Sequence, residues 1–369
     1  MLEKLRHINP YPLAIIFLIS SVGFVLLYSA GGSSLMPWAL KQFIRFMVGM
    51  GILLAVASID IRFYFRVAYI FYVVTFLLLI LVELMGFVGM GAQRWIDLYI
   101  IQIQPSELMK VALVLALARY FHELDPSKAS RLKNLILPVL MMALPALLVI
   151  RQPDLGTALV LLMVGACLLF LAGLSLWYFI AAGVAGASSI PVMWSFLHDY
   201  QKQRVLTFFD PGRDPLGSGY HITQSKIALG SGGFFGRGYG QGTQAALNFL
   251  PEKQTDFIFT MFCEEYGFMG AMGLISLYVV LIMYGVRVAM LASSTFSRLV
   301  AWGITFSFFI YMFVNMSMVI GLLPVVGVPL PLVSYGGTAM LTLLMGFGLL
   351  FCVDLNRNTK LPQRAMSLF

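Results

Sequence analysis

Apolar stretches of helical length alternate with shorter polar ones along the whole chain. They fall at about 13–31, 38–59, 64–87, 106–123, 134–150, 155–174, 176–197, 256–287, 300–322 and 337–353. A helix rises 1.5 Å per residue, so about 20 apolar residues cross the hydrocarbon core of a bilayer. The pattern therefore predicts an all-α polytopic membrane protein with about ten transmembrane helices. One polar stretch is far longer than the rest: His198 to Thr255, between the seventh and eighth helices, rich in Gly, with a short helix expected over Ile222 to Leu229. A second, Gly89 to Pro105, is amphipathic, and its Arg94-Trp95-Ile96-Asp97 leads into Gln102 and Gln104. Leu13 to Leu27, followed by Ser29-Ala30-Gly31, imitates a signal-peptide core, but apolar spans continue to the end of the chain. It is read as a retained first helix. No internal repeat is visible, which weakens a secondary-transporter reading. Residues 1–369 are read as one transmembrane domain, with 198–255 a large loop within it.

Composition fixes the solvent. Of 369 residues, 60% are hydrophobic and only 11% charged, with mean hydropathy +0.89. A soluble domain carries roughly 25% charged residues, so water-soluble classes are excluded. The net charge of +8 belongs to loops that face anionic lipid. Nucleic-acid binding is set aside, because no basic run is interleaved with aromatics. One set of loops carries Arg62 and Arg66, then Arg119, Lys128, Arg131 and Lys133, then Arg287 and Arg298. Lys4, Arg6, Arg357, Lys360 and Arg364 at the two ends join them. The opposite loops have Lys41 and Arg45 flanking one helix, and Arg94 and Arg151 standing alone. The positive-inside rule places both termini in the cytoplasm and 198–255 outside, as the extracytoplasmic loop. The cytoplasmic loops are short and lack a phosphate-loop signature, which argues against an ATP-driven pump or an enzyme fed by a cytosolic nucleotide-sugar. Cys167, Cys263 and Cys352 lie in apolar stretches and read as small buried hydrophobes.

Charges inside spans mark function by default. Glu107 and Lys110, at i and i+3, share one helix face and can pair, as a structural ion pair or as part of a site. Glu264 and Glu265 follow Asp256 by about eight residues, roughly 12 Å of helix. A carboxylate at that depth needs a cation or a water-filled cavity; Lys110 and Arg151 stand at similar heights. Asp154 and Asp256 each open a helix and read as N-caps. Two acidic caps, an ion pair and Arg94, all at one face, predict a polar cavity opening outward. The Gly-rich run from Gly230 to Gly238 resembles a phosphate cradle only superficially, since no strand precedes it. Its remaining ligand-binding reading is flexible backbone beside an anionic headgroup. Leu323 to Pro331 is Pro-dense and runs into Ser334-Tyr335-Gly336-Gly337-Thr338. It reads as a re-entrant plug as readily as a catalytic loop.

Six motifs, in order along nearly the whole chain, carry a resemblance. They are Gly91-Ala92-Gln93-Arg94-Trp95-Ile96-Asp97, Gln104-Pro105-Ser106-Glu107, Gln152-Pro153-Asp154-Leu155-Gly156, Phe249-Leu250-Pro251-Glu252, Thr255-Asp256-Phe257-Ile258-Phe259, and Pro329 through Gly337. As a set they resemble the SEDS family (shape, elongation, division, sporulation). Val326-Gly327-Val328-Pro329 and the Phe249 to Glu252 run resemble its elongation, RodA-type branch more than its division branch. Gln254 departs from the pattern, standing where that branch commonly has His. This removes a titrating imidazole but leaves Asp256 in place.

The resemblance implies a peptidoglycan glycosyltransferase of the bacterial cytoplasmic membrane. Such an enzyme polymerises lipid II, an undecaprenyl-diphosphate substrate, on the outer face during elongation and cell-shape determination. It also implies a class B penicillin-binding protein as crosslinking partner, with other elongation-complex proteins. Asp256 matches the family's essential acidic residue, and Glu107, Lys110 and Asp154 match positions needed for activity. One carboxylate base suffices, because diphosphate is already a good leaving group. Charge developing on it calls for Arg, Lys or a divalent cation such as Mg or Mn. Asp256 is assigned as base, Lys110 and Arg94 as diphosphate contacts, Glu107 and Asp154 as orienting groups, and Arg151, Glu264 and Glu265 as supporting residues. A lipid II flippase, which needs an alternating cavity, and a non-catalytic scaffold, which needs no polar cavity, are the competing functions.

Overall fold

The structure, a computed structural model, describes residues 7–85, 87–89, 92–97, 102–125, 130–196, 199–210, 218–246, 249 and 252–362. Of the positions named above, Lys4, Arg6, Gly91, Lys128, His198, Leu250, Pro251 and Arg364 lie outside them. Among the described residues, ten long helices coincide with the predicted spans: α1 Pro10–Ala30, α2 Ala39–Ser58, α3 Ile61–Met85, α4 Pro105–Glu123, α5 Leu132–Arg151, α6 Leu155–Leu171, α7 Leu176–Phe196, α11 Ile258–Leu291, α12 Thr295–Ile320 and α13 Gly337–Leu355. Between α7 and α11 lie the shorter α8 Asp199–Phe209, α9 Ser218–Ser231 and α10 Thr243–Ala246. Helix α9 contains the short helix expected in the large loop. Among the described residues, seven helices are long and apolar enough to cross a membrane, so the protein is a multi-pass membrane protein.

Helix α4 is not among those seven, and its position explains why. It packs against α3, α5, α6, α12 and α13, and almost every side chain from Pro105 to Glu123 is buried. Protein replaces lipid around it, so Glu107 and Lys110 are tolerated there. Helices α3 and α5 instead expose Ile70, Leu77, Leu137 and Val139, as lipid-facing helices do.

Two segments differ from the sequence reading. Gly89 to Pro105 is expected as an amphipathic loop, but carries a small antiparallel sheet of β1 Phe87–Gly89, β2 Ala92–Asp97 and β3 Gln102–Ile103, in that order. Phe87 pairs with Trp95, and Ile96 with Ile103. Strands this short have too few alternating positions to show their period in sequence.

The second difference concerns Asp256. It lies in a turn, and α11 begins at Ile258 with Phe257 at its N-cap and no side-chain cap bond, so Asp256 is not the predicted N-cap. Helix α11 then breaks at Gly267, where φ 67° and ψ −164° belong to a region essentially restricted to glycine. The break frees two carbonyls and two amides, and the Gly-rich run takes up all four. Arg237 N donates to Glu264 O at 3.0 Å and Gly238 N to Glu265 O at 3.1 Å; Phe268 N donates to Gly233 O at 3.0 Å and Met269 N to Phe234 O at 3.1 Å. A Cβ on Gly267 would stand 2.2 Å from the Gly236 amide nitrogen. The run predicted as a loose headgroup contact is thus the splint of a broken helix.

Candidate active site

The polar residues singled out above gather at one end of the bundle, while Arg119 donates to the Arg66 carbonyl at the other. Inside the first end, Lys110 Nζ lies 2.7 Å from Glu107 Oε2, with both side chains more than nine-tenths buried. The predicted pair therefore forms, and it sits in a hydroxyl cage. Tyr311 OH donates to Glu107 Oε1 at 3.2 Å and Thr342 Oγ1 to Glu107 Oε2 at 3.2 Å, while Lys110 also donates to Tyr311. A buried ion pair holds only if its remaining lone pairs and protons find partners, and α12 and α13 supply them. The pair faces a cavity of about 60 Å³ that is otherwise mostly apolar, lined by Pro329 to Leu332 and by Ser334.

Asp154 is the N-cap of α6, as predicted. Its Oδ1 accepts from Thr157 N at 3.1 Å and its Oδ2 from Thr157 Oγ1 at 3.0 Å. Gln104 donates to Oδ2 at 3.2 Å, and Arg94 Nη1 stands 3.8 Å from it. The rest of the Arg94 guanidinium is spent on backbone: Nε donates to Gln152 O at 2.9 Å, and Nη2 to Pro153 O. Arg94 is thus a strut between β2 and the α5–α6 turn.

Asp256 is half-buried beside the Pro-dense loop. Gly327, whose φ of 72° favours glycine, lies beside the carboxylate: a Cβ there would be in ordinary contact with Asp256 Oδ2, at 3.5 Å. Asn315 Nδ2 donates to the carbonyls of both Asp256, at 3.0 Å, and Val328, at 2.7 Å. Asn315 lies four residues after Tyr311 on the same face of α12. Adjacent turns of one helix therefore hold the Asp256 backbone and the Glu107–Lys110 pair. Ser334 Oγ donates to Thr255 O at 2.6 Å, and Tyr335 N to Gln254 O at 2.9 Å. Val328, Leu330, Leu332 and Val333 are all buried. The loop is a plug whose irregular backbone is enclosed by protein, the condition under which such backbone is tolerated.

Glu264 and Glu265 do not find the cations expected for them. Lys110 belongs to Glu107, and Arg151 is exposed at the end of α5. Glu264 Oε1 instead accepts from Thr243 Oγ1 at 3.2 Å and Gln244 N at 3.1 Å. Glu265 Oε1 accepts from Ser29 Oγ at 2.5 Å, and the Gly240 backbone also contacts the carboxylate. Glu265 lines a second cavity, of about 520 Å³, together with Ser29, Trp38, Lys253 and Gln254. Partial burial there holds the Lys253 ammonium below its ordinary range. Among the described residues no cluster of three or more His, Cys, Asp or Glu is placed to hold a metal ion.

The family model described as "Cell cycle protein", which covers FtsW, RodA and SpoVE, matches residues 10–359. The chain belongs to this family. Its members here include the peptidoglycan glycosyltransferase MrdB of Escherichia coli K12, 44% identical over 353 residues, covering 95% of this chain and 94% of that protein. The family fold is shared with a chain from a structure described as a peptidoglycan synthase complex that coordinates polymerization and crosslinking. That chain is 31% identical, with TM-score 0.84 over 96% of this chain and 99% of the other. The rod shape determining protein RodA of Thermus thermophilus matches at 27% identity and TM-score 0.72, over 96% and 99%. Within the family the chain is of the RodA type.

Sequence reasoning missed Tyr311, Thr342, Gln42 and Arg45. The first two lie in apolar runs more than 200 residues from Glu107, and no spacing links them to it. Arg45 reads as a loop charge, but the structure places it within α2. Its guanidinium stacks over the Tyr335 ring at 4.7 Å, beside the N-terminus of α13. Its Nη1 is buried without a protein partner. Gln42 donates to Ser334 O at 2.9 Å and accepts from Gly336 N at 3.3 Å. Hydrophilic residues four apart in α2, Lys41–Arg45 and Gln42–Arg45 at three, were the available signal.

Proposed function

We propose that the chain is an elongation-type peptidoglycan glycosyltransferase that polymerises lipid II at the outer face of the bacterial cytoplasmic membrane. The observation that carries it is a buried cation site and a carboxylate held by adjacent turns of α12, in a chain 44% identical to a peptidoglycan glycosyltransferase over 95% of its length. In the reaction a sugar hydroxyl attacks the anomeric carbon of a lipid-diphosphate-linked sugar. The new C–O bond forms as the C–O bond to diphosphate breaks, and diphosphate leaves with the electron pair. Asp256 takes the hydroxyl proton. Lys110 and Arg45, the latter with a buried N–H pair unspent and the α13 N-terminus beside it, stabilise the charge on the diphosphate. Glu107, Tyr311 and Thr342 fix Lys110. Arg94 and Gln104 fix Asp154, which lies within electrostatic reach of Lys110. No step is routed through a metal. Residues 1–369 act as one domain, with 198–255 as its extracytoplasmic loop, and the crosslinking partner is a class B penicillin-binding protein. Support for that partner comes from the synthase complex that contains the structural relative.

Purified protein in liposomes with labelled lipid II should yield glycan strands. Translocation without strands would favour a flippase, and neither product would favour a scaffold. Orientation has its own check. A cysteine at exposed Gln241 should react with a membrane-impermeant thiol reagent in intact spheroplasts, and one at exposed Ser130 should not. Cys263 and Cys352 are buried and Cys167 half-buried, so background should be low. The reverse labelling pattern would make an external polymerase untenable.

A further inference from the structure

The second cavity has no role in the chemistry above. It is bounded by the α1–α2 turn from Ser29 to Trp38, by Gly240 and Gly242, by Lys253 and Gln254, and by Glu265 on α11. Only a thin wall separates it from the first cavity. Ser334, which lines the first, bonds Thr255, and Tyr335 bonds Gln254, which lines the second. Gln254 and Thr255, held by these two bonds, connect the two linings, and Asp256 follows directly on Thr255. A transfer reaction with two sugar substrates needs two such places.

The chemistry of the second cavity differs from that of the first. Glu265 is 2% exposed. Oε1 accepts from Ser29, while Oε2 is buried with no hydrogen-bond partner among the described residues. Leaving such an atom unpaired is costly, and an unpaired carboxylate oxygen is an acceptor waiting for a hydroxyl or amide donor. Trp38 adds a flat apolar wall of the kind that packs on the C–H face of a pyranose. Among the described residues that line it, Lys253 and Glu265 carry one charge of each sign, so the lining has no net positive charge to draw a doubly charged diphosphate.

We propose that this cavity is a saccharide subsite, which binds the hydroxyl- and N-acetyl-bearing sugar rings of a substrate with Glu265 as hydrogen-bond acceptor. The assignment rests on the polymerase function proposed above. The sugars come from the growing strand or from the incoming acceptor, which share this chemistry.

The probe is a soluble tetrasaccharide of alternating N-acetylglucosamine and N-acetylmuramic acid, free of lipid and diphosphate, titrated into the full chain in nanodiscs. Glu265→Gln and Trp38→Ala, each checked for an unchanged melting temperature, should weaken binding by at least about tenfold, as loss of a hydrogen bond to a charged group does. Absence of wild-type binding at millimolar tetrasaccharide overturns the subsite, as does wild-type affinity in both folded variants. With lipid II, shorter strands made at an unchanged first-bond rate place the growing strand in the cavity; a slower first bond places the acceptor there. Binding is read without turnover. A protein that binds the tetrasaccharide but makes no strands therefore defeats the polymerase function and leaves the subsite standing. A protein that makes strands but does not bind defeats the subsite alone.

Discussion

Replacement of Asp256 by alanine is expected to lower lipid II polymerisation by about 10²–10⁴-fold, the usual contribution of a positioned general base, and to leave the protein folded. The geometry separates the two effects. The Asp256 carbonyl accepts from Asn315 at 3.0 Å, and alanine keeps that bond. Helix α11 starts two residues later without a side-chain cap, so no cap is lost. Asp256→Asn, which keeps the shape and loses the base, should fall as far. Strand formation on gels reads the activity, and thermal unfolding in detergent reads the fold. Near-normal strand formation by folded Asp256→Ala would remove Asp256 from the chemistry.

The second large effect is on stability as well as activity. Glu107→Ala or Lys110→Ala alone should each cost about 3–5 kcal/mol, because each leaves a buried charge without its partner. The double substitution should cost clearly less than the sum, since no unpaired charge survives. The 2.7 Å contact and burial of both side chains beyond nine-tenths place the pair in the regime where such coupling is large. Tyr311 and Thr342 would lose partners in Glu107→Ala but keep Glu107 in Lys110→Ala, so Glu107→Ala should be the more damaging of the two. Unfolding free energies of the four proteins close the cycle, and strict additivity would show that the two residues do not couple. All variants lacking Lys110 should also lose polymerisation, since the cation beside the cavity is gone.

What was legible in the sequence follows from the range of each interaction. Long apolar runs are a local property, imposed residue by residue by lipid, and each predicted span coincides with a helix. The Glu107–Lys110 pair and the Asp154 cap are also local, made across three residues, and both form as predicted. Motifs in order along the chain were enough to point to the SEDS family. The errors lie where a local pattern meets a distant partner. Asp256 looks like a helix cap, but the turn that holds it is set by Asn315 and Ser334, dozens of residues away. The Gly-rich run looks flexible, yet four hydrogen bonds fix it to a break in α11 that only Gly267 permits.

The sequence by itself therefore determined the membrane class, the positions of the helices and the family. Only the tertiary structure decided which charges meet. It gave Lys110 to Glu107 and left Glu264 and Glu265 to hydroxyls and backbone amides. It spent Arg94 on a turn, and brought Arg45 out of the loop count to the end of α13. The physical reason is that apolar burial is non-directional and is satisfied by any surrounding lipid or helix. A buried charge must instead be met by particular atoms at hydrogen-bonding distance, and their spacing along the chain carries no trace of that meeting.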